Sequence, residues 1–143
     1  MTINQLSIFV ENKAGTVAEI TKSIASAGVS IRALSVADTQ EFGILRLIVS
    51  DVEKAKEALS KNDCVVTITK VIGVQIPDVP GGLSEVLGLM SESNINVEYL
   101  YAFITVSGKH AYVVLRVQDN AKAESVLEQA GYHIITEADV HKL

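Results

Sequence analysis

Two stretches of this chain carry the same pattern of residues. A glycine, followed by an acidic and then an apolar residue, spans residues 15–20 and returns 66 positions later. An aspartate that precedes a leucine by eight positions, at residues 51–59, returns 68 positions later, so the second copy carries two extra residues in its middle. The matched pairs are Gly15 with Gly81, Glu19 with Glu85, Asp51 with Asp119, and Leu59 with Leu127. Internal repetition of this kind predicts two copies of one folded unit.

The length sets the size of each unit. The chain has 143 residues, so we place the units at residues 1–70 and 71–143. A core built from so few residues is only marginally stable alone. We therefore expect the copies to pack on each other and the chain to form a homodimer. The junction around residue 70 has no proline-rich or serine-rich linker, so one strand is expected to run almost directly into the next.

The spacing of apolar residues predicts the same element order in both copies. Leu6, Ile8 and Val10 alternate as in a half-buried strand, and Val17, Ile20 and Ile24 then recur at helical spacing. In the first copy the predicted order is strand from residue 6, helix to residue 27, strands at 30–38 and 43–50, helix after the N-cap Asp51, and strand at 65–69. The second copy is predicted as strand 71–76, helix 83–94, a hairpin of strands 96–106 and 111–117 around Ser107-Gly108, a helix capped by Asp119, and a last strand beginning within 133–136. Two ferredoxin-like βαββαβ units follow, in the α+β class, each an antiparallel sheet with two helices on one face.

Composition excludes several classes of function. The net charge is −5 and no half of the chain is basic, which argues against nucleic acid and anionic membranes. No apolar run approaches the ~20 residues that span a bilayer, and the first residues do not resemble a signal peptide. The lone Cys64 allows no internal disulfide and suits the cytoplasm. The histidines show no zinc-ligand spacing with Cys64, so we expect no metal, cofactor or catalytic centre.

The turn before the first helix of each copy is the strongest local feature. In the second copy it is Asp78-Val79-Pro80-Gly81-Gly82-Leu83. Glycines let a ligand approach the backbone, and the free amides of a helix start can hold a carboxylate while Asp78 accepts an ammonium group. An amino acid offers both groups. The plainer interpretation is a turn in which Asp78 only caps the helix, and the residues alone leave both open.

The element order, these turns and the step into the second strand together resemble ACT domains, which are small ligand-sensing modules of amino-acid metabolism. The step is Gly28-Val29-Ser30-Ile31 in the first copy and Asn94-Ile95-Asn96-Val97 in the second. The resemblance covers nearly the whole chain and leaves no room for a catalytic domain. It implies a stand-alone tandem ACT protein that is not an enzyme and that regulates by binding an amino acid or related metabolite.

The same resemblance implies where the ligand binds. In ACT domains the effector commonly lies between paired units, on the turn before the first helix and the start of strand two of a neighbouring unit. The positions in the first copy are Asn12, Lys13, Ala14, Gly15, Thr16 and Ser30. Those in the second copy are Asp78, Val79, Pro80, Gly81, Gly82, Leu83 and Asn96. The first copy departs from the usual acidic turn because Asn12 replaces the aspartate.

Two other functions remain as alternatives. The chain can be an interaction subunit without a ligand, similar to the small regulatory chain of acetohydroxyacid synthase, that docks on an amino-acid-biosynthetic enzyme. It can also be an enzyme resembling acylphosphatase, but that chemistry uses an arginine in the phosphate-cradling turn. The arginines here, Arg32, Arg46 and Arg116, all fall on predicted strands, which disfavours it.

The charge difference between the turns leads to a prediction. Asp78→Ala should weaken amino-acid binding more than Asn12→Ala, because only the carboxylate makes a charge-assisted hydrogen bond to an ammonium group. Titration calorimetry of both variants checks this. Equal and negligible effects would count against a site at these turns.

Overall fold

The structure, a computed structural model, describes residues 1–38, 41–62, 64–105 and 108–143. It divides into two compact units. Asn4–Thr69 forms one, called the N-terminal repeat below. Lys70–Leu143 forms the other together with Met1–Ile3, and is called the C-terminal repeat.

The N-terminal repeat contains the predicted order of elements. These are β1 (Ile3–Glu11), α1 (Thr16–Ser26), β2 (Ile31–Asp38), β3 (Phe42–Val49), α2 (Val52–Ser60) and the first part of β4 (Val65–Pro77). The strand order is β2-β3-β1-β4. β3 pairs antiparallel with both β1 and β2, with Ile8 opposite Leu45 and Val36 opposite the same Leu45.

The C-terminal repeat follows the same plan. It contains the second part of β4, α3 (Gly82–Glu92), β5 (Val97–Ala102), β6 (His110–Val117), α4 (Asn120–Gln129), β7 (Ile134–Ile135) and α5 (Glu137–Lys142). β4 pairs antiparallel with β6 and with β7, and β6 pairs with β5. The predicted fold class, α+β with two βαββαβ units, is confirmed, and the expected absence of a linker corresponds to the single strand β4.

Each repeat has its own core, formed where one face of the sheet meets the two helices. In the N-terminal repeat, Leu6 and Ile8 of β1 pack with Ile24 of α1 and Leu59 of α2, and all four are fully buried. The equivalent cluster in the C-terminal repeat joins β4 and β6 to α3 and α4. Burying one such side chain stabilises the fold by about 1.5–3 kcal/mol. The alternation of apolar residues in the strands therefore decides which sheet face the helices cover.

The predicted caps of the second helices are confirmed. The carboxylate of Asp51 accepts a hydrogen bond from the amide of Lys54 at 3.1 Å, and that of Asp119 accepts one from Lys122 at 3.1 Å. Each satisfies an amide that the helix itself leaves without a partner. Gly28, Asn94 and Gly131 follow helices with positive φ, as helix ends require.

The end of the chain differs from the prediction. The last strand is only Ile134–Ile135, and a fifth helix, α5, follows it. Thr136 starts that helix through a capping box, because its hydroxyl accepts from the amide of Asp139 while Asp139 accepts from the amide of Thr136. A threonine followed three positions later by an acidic residue already has the spacing of a capping box in the sequence.

The predicted hairpin of the second copy is present in part. β5 ends at Ala102, four residues before the predicted end of its strand at residue 106, although the amide of Phe103 still donates to the carbonyl of Tyr112 at 2.9 Å. Val106 and Ser107 lie outside the described residues. Within the described ranges, no helix is long and apolar enough to cross a bilayer.

The capping box of α5 should make stability depend on pH. Hydrogen bonds from Thr136, chiefly from its backbone amide, lower the pKa of Asp139 and outweigh the opposing effect of burial; the nearby His133 lowers it further. A lowered pKa means that the stabilisation is present above the ordinary aspartate pKa of about 3.9 and is lost as the pH falls through the folded-state value. Asp139→Asn should therefore unfold at lower denaturant concentration than wild type at pH 7. That difference should vanish at pH 2.

Glu128→Gln is the matched control, since it removes an exposed carboxylate of α4 that caps no helix. Chemical denaturation of the three proteins at both pH values is the measurement. A loss of stability in Asp139→Asn that persists unchanged at pH 2 would contradict the assignment of the effect to the ionised carboxylate.

Candidate functional site

The first helix of each repeat begins differently from the other helices. Among the described residues, α2, α4 and α5 start with a side chain that accepts a hydrogen bond from the helix. α1 and α3 start instead after a glycine in the left-handed conformation, Gly15 with φ 88° and Gly81 with φ 89°, and have no side-chain cap. The first amide of each of these helices donates within its turn, but the next amides lack the side-chain cap that the other helices have and are open to an external acceptor, and the helix dipole favours an anion there.

Backbone hydrogen bonds hold the turn of the N-terminal repeat in shape. The amide of Asn12 donates to the carbonyl of Glu41 at 3.0 Å, and the amide of Lys13 donates to Glu11 at 3.0 Å. The amide of Thr16 donates to the carbonyl of Lys13 at 3.4 Å, which closes the turn, and Ala14 lies exposed at its tip. The turn that sequence analysis singled out is thus a fixed structure with an exposed outer side.

A cavity of about 260 Å³ opens beside this turn, within the N-terminal repeat. Its polar wall contains both signs of charge, with Lys13 from the turn, Glu11 from the end of β1 and Glu19 from the first turn of α1. Lys13 Nζ lies 3.2 Å from Glu11 Oε2, and both side chains are largely exposed. An ion pair so exposed contributes little to stability, so both groups can turn towards a ligand at small cost.

The remaining wall of the cavity is apolar. Phe9 and Val10 of β1, Ile20 of α1 and Cys64, which precedes β4, form it. Phe9 is 52% exposed, whereas Val10 and Ile20 belong to the core. Asn62 completes the lining, and its carbonyl accepts a long 3.5 Å hydrogen bond from the Cys64 thiol. The cavity therefore combines an apolar surface with charged groups at one side, as small-molecule sites usually do.

Thr16 is the one polar side chain of the turn that is left without a partner. It lines the cavity, and its Oγ1 is buried without a hydrogen bond to any described residue. A buried hydroxyl in this state costs about 1–3 kcal/mol relative to a satisfied one. A ligand group in the cavity beside Thr16 would supply the missing partner.

The turn of the C-terminal repeat is closed more tightly. The amide of Asp78 donates to the carbonyl of Lys109 at 3.1 Å, and the amide of Gly82 donates to Val79 at 3.0 Å. Gly82 is buried, and the carbonyl oxygen of Pro77 lies where a Cβ of residue 82 would be. Asp78, Val79, Pro80 and Gly81 are exposed, while Leu83 packs against the core. The residues of this turn do not line the cavity described above.

The two strand-two positions lie elsewhere. The amide of Ser30 donates to the hydroxyl of Ser50 at 2.9 Å, and Ser30 does not line the cavity at the first turn. Asn96 lines a separate cavity of about 240 Å³ with Asp119 and Lys122 at the start of α4. The structure therefore brings Lys13 and Thr16 together at one cavity and leaves the remaining predicted positions around it or apart from it.

Sequence analysis missed four residues that matter most for the lining of this cavity, Phe9, Glu11, Glu19 and Cys64. They come from a strand end, a helix and the connection before β4, so no local motif contains them. Only Glu19 left a signal, because it recurs as Glu85 in the second copy. Among the described residues, no group of three or more histidine, cysteine, aspartate or glutamate side chains is placed to hold a metal ion.

Residue 82 should accept a side chain far less readily than its counterpart, residue 16. In Gly82→Ala the new Cβ would overlap the Pro77 carbonyl oxygen, a backbone atom that cannot rotate away. We expect a loss of about 1–3 kcal/mol in the free energy of unfolding. Thr16→Ala is the control, because that position already holds a Cβ, and it should change stability by clearly less. Chemical denaturation measures both, and equal losses would refute the difference between the turns.

Comparison with known proteins places this geometry in a family. The sequence matches the family described as ACT domain pair over residues 1–143. Protein BT0572 from Bacteroides thetaiotaomicron is 40% identical, with a TM-score of 0.92 over 100% of this chain and 98% of that chain. No curated protein matches the chain.

Two more distant structures share the fold. The ligand-free regulatory subunit of aspartate kinase from Thermus thermophilus is 14% identical, with a TM-score of 0.67 over 90% of this chain and 91% of that chain. The corresponding subunit from Thermus flavus is also 14% identical, with a TM-score of 0.60 over 91% and 94%. From its full-length sequence match and its 40% identical structural relative, this chain belongs to the ACT domain pair family.

Proposed function

We propose that this chain is a non-catalytic regulatory protein that binds an amino acid or a related small metabolite at the turn before a first helix. The observation that carries the proposal is the uncapped start of α1 beside a cavity that holds both signs of charge. Membership of the ACT domain pair family supports it. So does the fold shared with a subunit whose name identifies it as the regulatory part of aspartate kinase.

The start of α1 suits the carboxylate of the ligand. The first amides of a helix have no partner within the helix, and the dipole stabilises an anion there by about 0.3–1 kcal/mol, rising to about 2 kcal/mol in a partly buried site. Lys13 lies on the same turn and adds a positive charge. The Thr16 hydroxyl can donate to the same group.

The acidic and apolar side chains of the lining suit the ammonium group and the side chain of the ligand. Glu11 and Glu19 are both carboxylates of the cavity, and a charge-assisted hydrogen bond to either is about twice as strong as a neutral one. Val10 and Ile20 offer an apolar surface to a side chain. About 260 Å³ is near the lower end of small-molecule pockets, which fits a ligand of amino-acid size.

Regulation requires that binding change an equilibrium. We propose that the chain forms a homodimer in the cytoplasm and that strand-two positions such as Ser30 or Asn96 of a neighbouring ACT unit complete the site. A ligand that bridges two units favours the arrangement in which they are joined. The terminal strand β2 is available for pairing, and its Val36 is 50% exposed.

A second function is favoured by exposed apolar side chains. Phe9 and Phe42 are more than half exposed on the N-terminal repeat, and they share one sheet face, because Phe42 pairs with Glu11, two residues from Phe9. Such side chains are typical of protein contacts. In this alternative the chain is an interaction subunit that docks on an amino-acid-biosynthetic enzyme without a ligand of its own.

A thermal-shift screen with the twenty amino acids separates these functions. A ligand at ~100 times its dissociation constant should stabilise the folded chain by ~2.7 kcal/mol. The same amino acid should slow the alkylation of Cys64 by iodoacetamide, since Cys64 is the only cysteine and lines the cavity. Unchanged melting temperatures with all twenty, together with an unprotected Cys64, would favour the docking subunit.

Glu19→Gln tests the role of the charged wall. Loss of a hydrogen bond to a charged group costs about 1.5–3 kcal/mol, so the dissociation constant should rise by about ten- to a hundredfold. Glu53→Gln is the matched control, because it removes an exposed glutamate from the first turn of α2, away from the cavity. Calorimetry with the amino acid found in the screen measures both. Binding that weakens equally in the two variants would point to a general electrostatic effect.

A further inference from the structure

The two repeats place different residues at equivalent positions around the first helix. The offset of 68 that relates Asp51 to Asp119 also relates Cys64 to Tyr132, and both follow the second helix of their repeat. The offset of 66 relates Glu19 to Glu85. At these two positions, each repeat places its own side chains beside its first helix.

In the C-terminal repeat this space holds a tyrosine. Tyr132 is partly buried and packs against the core cluster that contains Val86 of α3. Its hydroxyl donates to the carboxylate of Glu85, and burial, followed by the charge of that carboxylate, raises the pKa of Tyr132. A phenol ring of the chain itself therefore packs beside α3.

In the N-terminal repeat the equivalent space is a cavity. Cys64 and Glu19, the counterparts of Tyr132 and Glu85, both line the volume of about 260 Å³. A cysteine fills much less space than a tyrosine, and a packed fold that loses a large side chain keeps a void. Within the described residues, Glu19 forms no ion pair.

The turns before the first helices also differ in how far the atoms of the chain fill the space beside them. The Pro77 carbonyl fills the space beside Gly82, whereas Thr16 and Glu11, the counterparts of Gly82 and Pro77, both line the cavity. At three equivalent positions the atoms of Tyr132, Gly82 and Pro77 therefore fill space in the C-terminal repeat, whereas their counterparts Cys64, Thr16 and Glu11 line a cavity.

We propose that each chain has one ligand site, the cavity of the N-terminal repeat, and that its ligand takes the place of the missing tyrosine side chain. The ligand class is a small molecule with an aromatic ring and a hydroxyl or ammonium donor directed at Glu19. An apolar cavity of about 150 Å³ already admits benzene, so this cavity is large enough for a ring. This inference rests on the proposed function, because it concerns the same cavity. If the ligand is an amino acid, we expect an aromatic one.

The turn sequences alone predict that substitutions in the second turn weaken binding more than those in the first turn. This proposal predicts the opposite order. Substitution of Asp78 should leave binding unchanged, because the C-terminal repeat is filled. Residues of the first turn should matter instead. Calorimetry of Asp78→Ala beside Lys13→Ala, which removes a side chain that lines the cavity, therefore decides between an acidic turn and an open cavity as the determinant of binding.

The experiment uses p-cresol, the side chain of tyrosine, with toluene as the probe that lacks the donor. Isothermal calorimetry should give one p-cresol per chain, with toluene at least tenfold weaker. Cys64→Tyr should fill the cavity and weaken p-cresol binding at least tenfold. Val65→Tyr is the control, because it adds the same side chain at an exposed neighbouring position that does not line the cavity, and it should bind as wild type. A folded Cys64→Tyr chain that binds p-cresol normally would overturn the proposal.

A second measurement covers a Cys64→Tyr chain that fails to fold. The folded wild-type protein is labelled at Cys64 with benzyl methanethiosulfonate, which places a ring in the cavity, or with methyl methanethiosulfonate, which does not. The benzyl label should abolish p-cresol binding and the methyl label should preserve it. Equal binding after both labels refutes the proposal.

The experiments distinguish a failure of this inference from a failure of the proposed function. Amino acids that bind at two sites per chain, or that bind the benzyl-labelled protein normally, refute the single open cavity and leave the regulatory function standing. Binding of p-cresol without binding of any amino acid supports the cavity and refutes amino-acid sensing.

Discussion

Burial of one sheet face beneath two helices is the constraint on which both repeats depend. Strands of two to thirteen residues cannot form a stable layer unless the apolar half of their side chains leaves water. Leu6 and Ile8 supply that half in β1, and Ile72 and Val74 supply it in β4. The helices are short, so they too are stable mainly through this contact. Core positions in the two copies therefore stay apolar, and variation is confined to the helix starts, turns and strand ends around the core.

The two repeats differ at these positions around the core. Gly15 and Gly81 have nearly the same φ, so the two turns share one backbone conformation. The side chains around them differ: Cys64 and Thr16 line a cavity, whereas Tyr132 packs against the core and the Pro77 carbonyl lies against Gly82 at the corresponding positions. One framework thus supports a cavity beside the first helix in one copy and a packed tyrosine in the other. The filled repeat keeps the packing energy of the side chain that fills it. The open repeat lacks part of that energy and has a cavity in which a ligand can bind.

Much of the fold could be predicted because its signals are local. Asp51 and Asp119 were assigned as caps from their position before a helical pattern, and the structure confirms both hydrogen bonds. The helix α5 was missed although Thr136 and Asp139 show the capping-box spacing, because the repeat suggested a strand there. Of the candidate site, sequence predicted the turn with Lys13 and Thr16 but not Glu19 or Cys64 as its neighbours.

The sequence by itself determined the duplication, the element order and the glycines at the two turns, since periodicity, caps and positive φ are properties of residues close together in the chain. The tertiary structure alone decided which turn is open. Cys64 meets Glu19 only after α2 has packed on α1, and Tyr132 meets Glu85 only after α4 has packed on α3. The volume left between such side chains depends on the packing of distant segments, and a linear pattern contains no measure of it.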